Sequence, residues 1–313
     1  MQSNLLILLI YEFRKKNLIE SVFSFRSTDD NLTALQLAVK RHLPLVVENL
    51  CKRGANMSML DSNGNSPLWT ALDTGQEDIA SILVANKCDT TQWSTGPENC
   101  QQTLLHRAID ENNDAVAVFL IKSGCDINSP RRPGINGETP EEALDQLTPL
   151  HLACSWGQEK VVIALVENKC KINNQDVDGN TPLHLAIQNQ HPSIIEILLR
   201  QKDIDLKIKN NAGQSPFATA LMRKNNNATS LILRKEPNAA EQFDNKGRNF
   251  LHLAVLNSDI ETVLSLLSVN VNVNSRVQDS LGKTAIHLAT ETGSEMIIRN
   301  LVRILYLVSL PIC

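Results

Sequence analysis

Five histidines are the residues of this 313-residue sequence best placed by type and spacing to do chemistry. His106, His151, His184, His252 and His287 each sit in a short related string: TLLHRA, TPLHLA, TPLHLA, NFLHLA and TAIHLA. A row of imidazoles could hold metal ions or pass protons. It could equally be structural, each ring bonding backbone near its adjoining turn for about 1 kcal/mol. Stacked helical layers lie about 10 Å apart, whereas zinc binds an imidazole nitrogen at about 2 Å, so the structural role is the expected one.

The seven cysteines contain no CxxC pair and no metal-ligand spacing, which fits free thiols in a reducing, cytosolic setting. Cys88, Cys125 and Cys170 each follow a second helix, and Cys154 follows His-Leu-Ala. Small buried thiols account for all four, since no base or oxyanion donor is placed to activate one. Asp110-Glu111 and Glu141-Glu142 read as solvated carboxylates rather than an acid–base pair. The sequence has no GxGxxG, phosphate loop, HExxH, GxSxG or EF-hand pattern. Neither an enzyme nor a cofactor is expected. Net charge is −4, and the basic pairs Lys52-Arg53 and Arg131-Arg132 are isolated, so no nucleic-acid face is expected. The apolar run Leu5–Tyr11 is far short of the about 20 residues that span a bilayer. It lacks the flanks of a secretory signal, and direct membrane binding is not expected.

The elements that position these residues come from a repeat. TPLHLA stands at Thr148–Ala153 and again at Thr181–Ala186, 33 residues on. Variants are TALQLA (Thr33–Ala38), SPLWTA (Ser66–Ala71), TLLHRA (Thr103–Ala108), SPFATA (Ser215–Ala220), NFLHLA (Asn249–Ala254) and TAIHLA (Thr284–Ala289). In the repeat spanning Asp176–Asn210, Asp178-Gly179-Asn180 has turn chemistry, Thr181 suits an N-cap and Pro182 the first helical position. Leu183, Leu185 and Ala186 follow on a short first helix. Gln190-His191-Pro192 breaks it, and Ile194, Ile195, Ile197, Leu198 and Leu199 give a second helix a broad apolar face. Two such helices cannot bury that face alone, so stacking is obligatory.

Eight matches in register, at a period near 33 with T-P-L-H-x-A, resemble the ankyrin family. The resemblance implies an all-α solenoid of about eight helix-turn-helix repeats with β-turn fingers. Repeats over 28–300 would begin near 28, 61, 98, 143, 176, 210, 244 and 279, between atypical segments at 1–27 and 301–313. Longer steps locate insertions near Thr90–Gln101, with Trp93, and near Ser129–Gln146. The second falls where the family's finger projects, as either a binding element or a tolerated loop.

An ankyrin stack presents a concave surface of turn tips and first-helix sides, where a protein partner is expected. In register, that surface carries Asn63, Asn65, Asp178, Asn180 and Arg248 at tips, and Asp110, Glu111, Ser155, Trp156, Gln188 and Asn189 on first helices. Trp156 is the expected anchor, because tryptophan is enriched among interface hot spots. Asn128, Asn173 and Asn274 close the segments after second helices. The resemblance marks them as possible substrates of asparaginyl hydroxylation, with plain turn-holding as the alternative.

Thr148–Val162, Ser129–Gln146 and Asp244–Val263 resemble the rabankyrin family of ankyrin, BTB and FYVE-domain endosomal proteins. That resemblance implies a scaffold in endocytosis and macropinocytosis, cytoplasmic or at early endosomes, with a Rab GTPase as partner. A structural spacer solenoid without a dedicated ligand is the alternative. The chain departs from the family in having no FYVE finger, since it has no CxxC, and no room for a BTB domain. The apolar ending LVRILYLVSLPIC suggests either truncation of a longer product or a helix that pairs with another chain, and in both cases poor solubility.

Overall fold

A computed structural model describes residues 25–27, 31–96, 100–133, 146–241, 248–268, 271–277 and 282–309. The chain divides into two compact units, Met1–Leu144 and Asp145–Cys313. Most of Ser129–Gln146, and of the segment 1–27, lies outside the described residues.

Each repeat opens with Thr33, Ser66, Thr103, Thr148, Thr181, Ser215, Asn249 or Thr284 in extended backbone, capping a first helix. In the N-terminal unit the helix pairs are α1 (Ala34–Lys40) with α2 (Pro44–Lys52), α3 (Pro67–Asp73) with α4 (Glu77–Ala85), and α5 (Leu104–Asp110) with α6 (Asp114–Lys122). The insertion near Thr90–Gln101 adds strands to the all-α expectation. Its β1 (Trp93–Thr95) and β2 (Gln101–Thr103) pair antiparallel, with Trp93 opposite Thr103.

The C-terminal unit holds five pairs: α7 (Pro149–Trp156) and α8 (Glu159–Glu167), α9 (Pro182–Gln188) and α10 (Pro192–Leu199), α11 (Pro216–Met222) and α12 (Asn226–Lys235), α13 (Phe250–Leu256) and α14 (Ile260–Ser268), α15 (Ala285–Thr292) and α16 (Glu295–Ser309). The last helix, α16, runs through residue 300, where the repeats are expected to give way to an atypical tail. Ile297 and Leu301 are buried one turn apart, so the apolar ending continues a second helix. Among the described residues no helix is long and apolar enough to cross a membrane.

The reversal between the two helices falls at one register position in all eight repeats: His42, Gly75, Asn112, Gly157, Gln190, Lys224, Ser258 and Gly293, every one at positive φ. Only glycine takes that conformation without strain, so the tight hairpin is imposed by packing wherever another residue stands there. The alanine closing each motif (Ala38, Ala71, Ala108, Ala153, Ala186, Ala220, Ala254, Ala289) is buried throughout and lets first helices approach. First helices of seven or eight residues are below the roughly 12–15 at which an isolated helix becomes marginal in water, so neighbours supply their stability. Each fully buried leucine or isoleucine contributes about 1.5–3 kcal/mol.

Gly179 shows how successive turns seat on one another. Its φ is +74°, and a Cβ there would lie 2.9 Å from the backbone nitrogen of Asn211. That nitrogen donates to the carbonyl of Asp178 at 2.9 Å.

Candidate protein-interaction face

The histidines form a structural lattice. In the fifth repeat the Thr181 N–H donates to His184 Nδ1 at 3.1 Å, and Nε2 faces the Gln214 carbonyl of the next repeat at 3.0 Å. A carbonyl can only accept, so the ring is neutral with its proton on Nε2. Burial lowers the pKa of His184 in keeping with that state. His151 bonds Thr148 N–H and the Asn180 carbonyl in the same way, and His252 bonds Asn249 N–H and the Ser275 carbonyl. His106 accepts from Thr103 N–H at 3.3 Å. His287 keeps the bond to its own cap but is an exposed residue.

The first repeat carries glutamine at this position and does the same work with it. Gln36 Oε1 accepts from Thr33 N–H at 2.8 Å, and its Nε2 donates to the Met59 carbonyl at 2.9 Å. Two positions break the series: Trp69, whose buried indole nitrogen has no partner among the described residues, and Ala218.

Cys51, Cys88, Cys100, Cys125, Cys154 and Cys170 are buried and unbridged. Burial pushes the Cys51 and Cys170 thiols up to about 11 and those of Cys88 and Cys125 up to about 12. Thiolate is scarce at neutral pH, so none of these four is set up as a nucleophile.

In the N-terminal unit a cleft of about 630 Å³ gathers Asn63, Asp110 and Glu111 beside Trp93 and Arg107. The Arg107 guanidinium lies 4.1 Å from the centre of the Trp69 ring, donates to Asn65 Oδ1 at 2.7 Å and pairs with Glu111 at 2.9 Å. Asp110 pairs with the buried Arg131, so its carboxylate clamps the start of the following loop and is not a bare surface charge. Arg132 stacks on Trp93, which gives each arginine of that basic pair a structural partner.

In the C-terminal unit Trp156 ends α7 and is 63% exposed. The Ser155 carbonyl accepts from His191 Nε2 at 3.1 Å, while Asn189 Nδ2 donates to the Leu185 carbonyl at 3.0 Å and reaches Ser155 Oγ at 3.4 Å. The register position of Ser155 is held on α11 by Met222, 67% exposed, and that of Trp156 by Arg223. Asp178 lies exposed at its turn tip, and Arg248 is half-buried beside α13.

Asn180 departs from expectation. It is only 6% exposed, its amide oxygen accepts from Asn210 Nδ2 at 3.0 Å and from Gln188 Nε2 at 3.4 Å, and its backbone N–H donates to Asp176 Oδ1. Turn geometry encloses it, so it braces the face from behind. Of the asparagines after second helices, Asn173 bonds the Asp203 carbonyl and the Asp205 N–H of the next repeat, Asn128 is half-buried, and Asn274 is exposed.

Sequence register did not reveal the grooves between repeats. The signal was present, since Trp69 and Ala218 replace the bridging side chain at those seams.

The profile of the family described as "Ankyrin repeats (3 copies)" matches residues 4–94, 35–131, 133–210 and 203–277. Its start at residue 4 takes in most of the stretch 1–27 that carries no turn motif. The mouse protein named Rabankyrin-5 is 58% identical over 218 residues, covering 70% of this chain and 19% of that relative. The human Rabankyrin-5 is 58% identical over 214 residues, covering 68% and 18%. The chicken protein named Nuclear factor NF-kappa-B p105 subunit is 33% identical over 158 residues, covering 49% and 14%. This chain therefore spans about a fifth of the length of the Rabankyrin-5 proteins. Profile matches over most of the sequence, with eight hairpins in one register, place the chain in the ankyrin-repeat family, whose general role is to bind other proteins rather than to catalyse.

Proposed function

We propose that the chain is a scaffold whose first-helix face binds a protein partner, with Trp156 as the anchor and Ser155, Gln188, Asn189 and Asp178 around it. In the N-terminal unit, Asn63, Asn65 and Glu111 are the corresponding candidates. One observation carries this reading: an indole left 63% exposed on the first-helix face. Covering such an anchor contributes on the order of 2 kcal/mol to binding.

Similarity to Rabankyrin-5 over most of the chain supports a finer proposal, in which the partner is a Rab GTPase or another trafficking protein and the setting is the early endosome. Affinity purification with wild type and Trp156→Ala, alongside thermal melting of both, tests the reading. Loss of specific partners with an unchanged melting midpoint supports it. Unchanged partners would favour a spacer solenoid. We further propose Asn274 as the first candidate among Asn128, Asn173 and Asn274 for asparaginyl hydroxylation, being the exposed one; a peptide mass raised by about 16 Da would reveal it.

A further inference from the structure

Whether neighbouring repeats close on each other follows the side chain at the histidine position. Gln36, His151, His184 and His252 each bond a carbonyl of the next repeat, and there the first helices pack closely: α1 on α3, α7 on α9, α9 on α11 and α13 on α15. Trp69 and Ala218 make no such bond, and at those two seams α3 and α5, and α11 and α13, pack less closely, with Arg107 of α5 reaching the Trp69 ring instead. The methyl group of Ala218 cannot reach across. The edge-to-face pair Phe217–Phe250, with centroids 5.2 Å apart, joins α11 and α13.

Beside that pair a groove of about 370 Å³ opens, with apolar walls of Ala218, Leu221, Met222, Phe250, Leu253 and Ala254. Its size falls within the range of small-ligand pockets. Lys209, whose ammonium has no partner among the described residues, and Arg248 also line it. The acidic group on its lining, Asp259, has its oxygens engaged at 3.1 Å by Thr262 N–H and at 2.7 Å by Thr262 Oγ1, as the cap of α14. The groove is therefore apolar within, with the Lys209 ammonium at its edge and the ionised Asp259 held in place as a helix cap.

We propose that this groove docks a short acidic segment of a partner protein, one aliphatic or aromatic side chain entering between α11 and α13 while a flanking carboxylate meets Lys209. The proposal rests on the reading of the first-helix face as a binding face and names the chemistry it selects at this point.

Methionine-methyl NMR of the full chain, which has five methionines, reads the groove through Met222. The probe is the blocked peptide EELEE, with KKLKK and EEAEE as controls. We expect a saturable shift of the Met222 methyl with EELEE, and binding weaker by about tenfold or more for both controls and for Lys209→Glu. Ala218→His installs the bridging residue used by neighbouring repeats, so it should close the groove and abolish the shift while the circular dichroism melt stays cooperative. No saturable shift with EELEE, equal binding of KKLKK, or undiminished binding to Ala218→His would each overturn the proposal. If peptide binding fails while Trp156→Ala still loses its partner in the purification, only the groove is refuted.

Discussion

Replacing His184 by alanine removes a side chain that satisfies backbone groups in two repeats at once. The Thr181 N–H, in a residue 1% exposed, loses its acceptor, and the Gln214 carbonyl loses one of two donors, keeping the Asn210 N–H at 3.0 Å. Leaving a buried donor unmade costs about 1–3 kcal/mol, and the vacated volume adds to it, so the total should be about 2–4 kcal/mol. His184→Gln should cost less than about 1 kcal/mol, because Gln36 makes both bonds in the first repeat. His287→Ala loses only the bonds to its own cap and should cost about 1 kcal/mol. Urea denaturation followed by far-ultraviolet circular dichroism gives all three values on one scale. If glutamine at 184 destabilised as much as alanine, or if His287→Ala cost as much as His184→Ala, the bridging account would be wrong.

Acid should act through the same residue. Burial lowers the pKa of His184 below its ordinary 6.5, so the unfolded chain takes up the proton first. Its contribution to stability is whole above that pH and is lost as pH falls through the lowered folded value; His184→Gln should flatten the melting midpoint between neutral pH and this window. Gln190 holds φ +58°, so Gln190→Gly should raise stability by about 0.5–1 kcal/mol, measured by thermal melting. Gly179→Ala should cost about 2 kcal/mol or more, since the added carbon meets Asn211 backbone as well as an unfavourable φ. With thiols near pKa 11 in place of 9.0, Cys51 and Cys170 should react with Ellman's reagent about a hundredfold more slowly in the native chain than in urea; equal rates would show that they are open to solvent.

Much of this was legible in the residues because each repeat solves the same local problem with the same chemistry. Thr or Ser before Pro announces the cap and the start of a helix, the alanine closing the motif announces close approach, and the eight starts set the register. Register also gave the exposed position of Trp156. It failed for Asn180, because a turn tip can point inward as a bracket between repeats, and that depends on Asn210 and Gln188 lying within reach. It failed for Asp110, because the matching Arg131 comes from a loop 21 residues on. The strand pair at Trp93–Thr95 and Gln101–Thr103 escaped notice because a three-residue strand leaves no alternation to read. The seam grooves escaped for another reason: they are made by what Ala218 and Trp69 fail to do.

Site-specific photocrosslinking tests most directly that the first-helix face is where a partner binds. A benzoylphenylalanine at exposed Asn189, beside Ser155 on that face, is compared with one at Ile163, exposed on the second helix α8. Covalent capture of the same protein from position 189 and not from position 163, abolished by Trp156→Ala, is the expected result. Capture from 163 alone, or from 189 undiminished by Trp156→Ala, would contradict it.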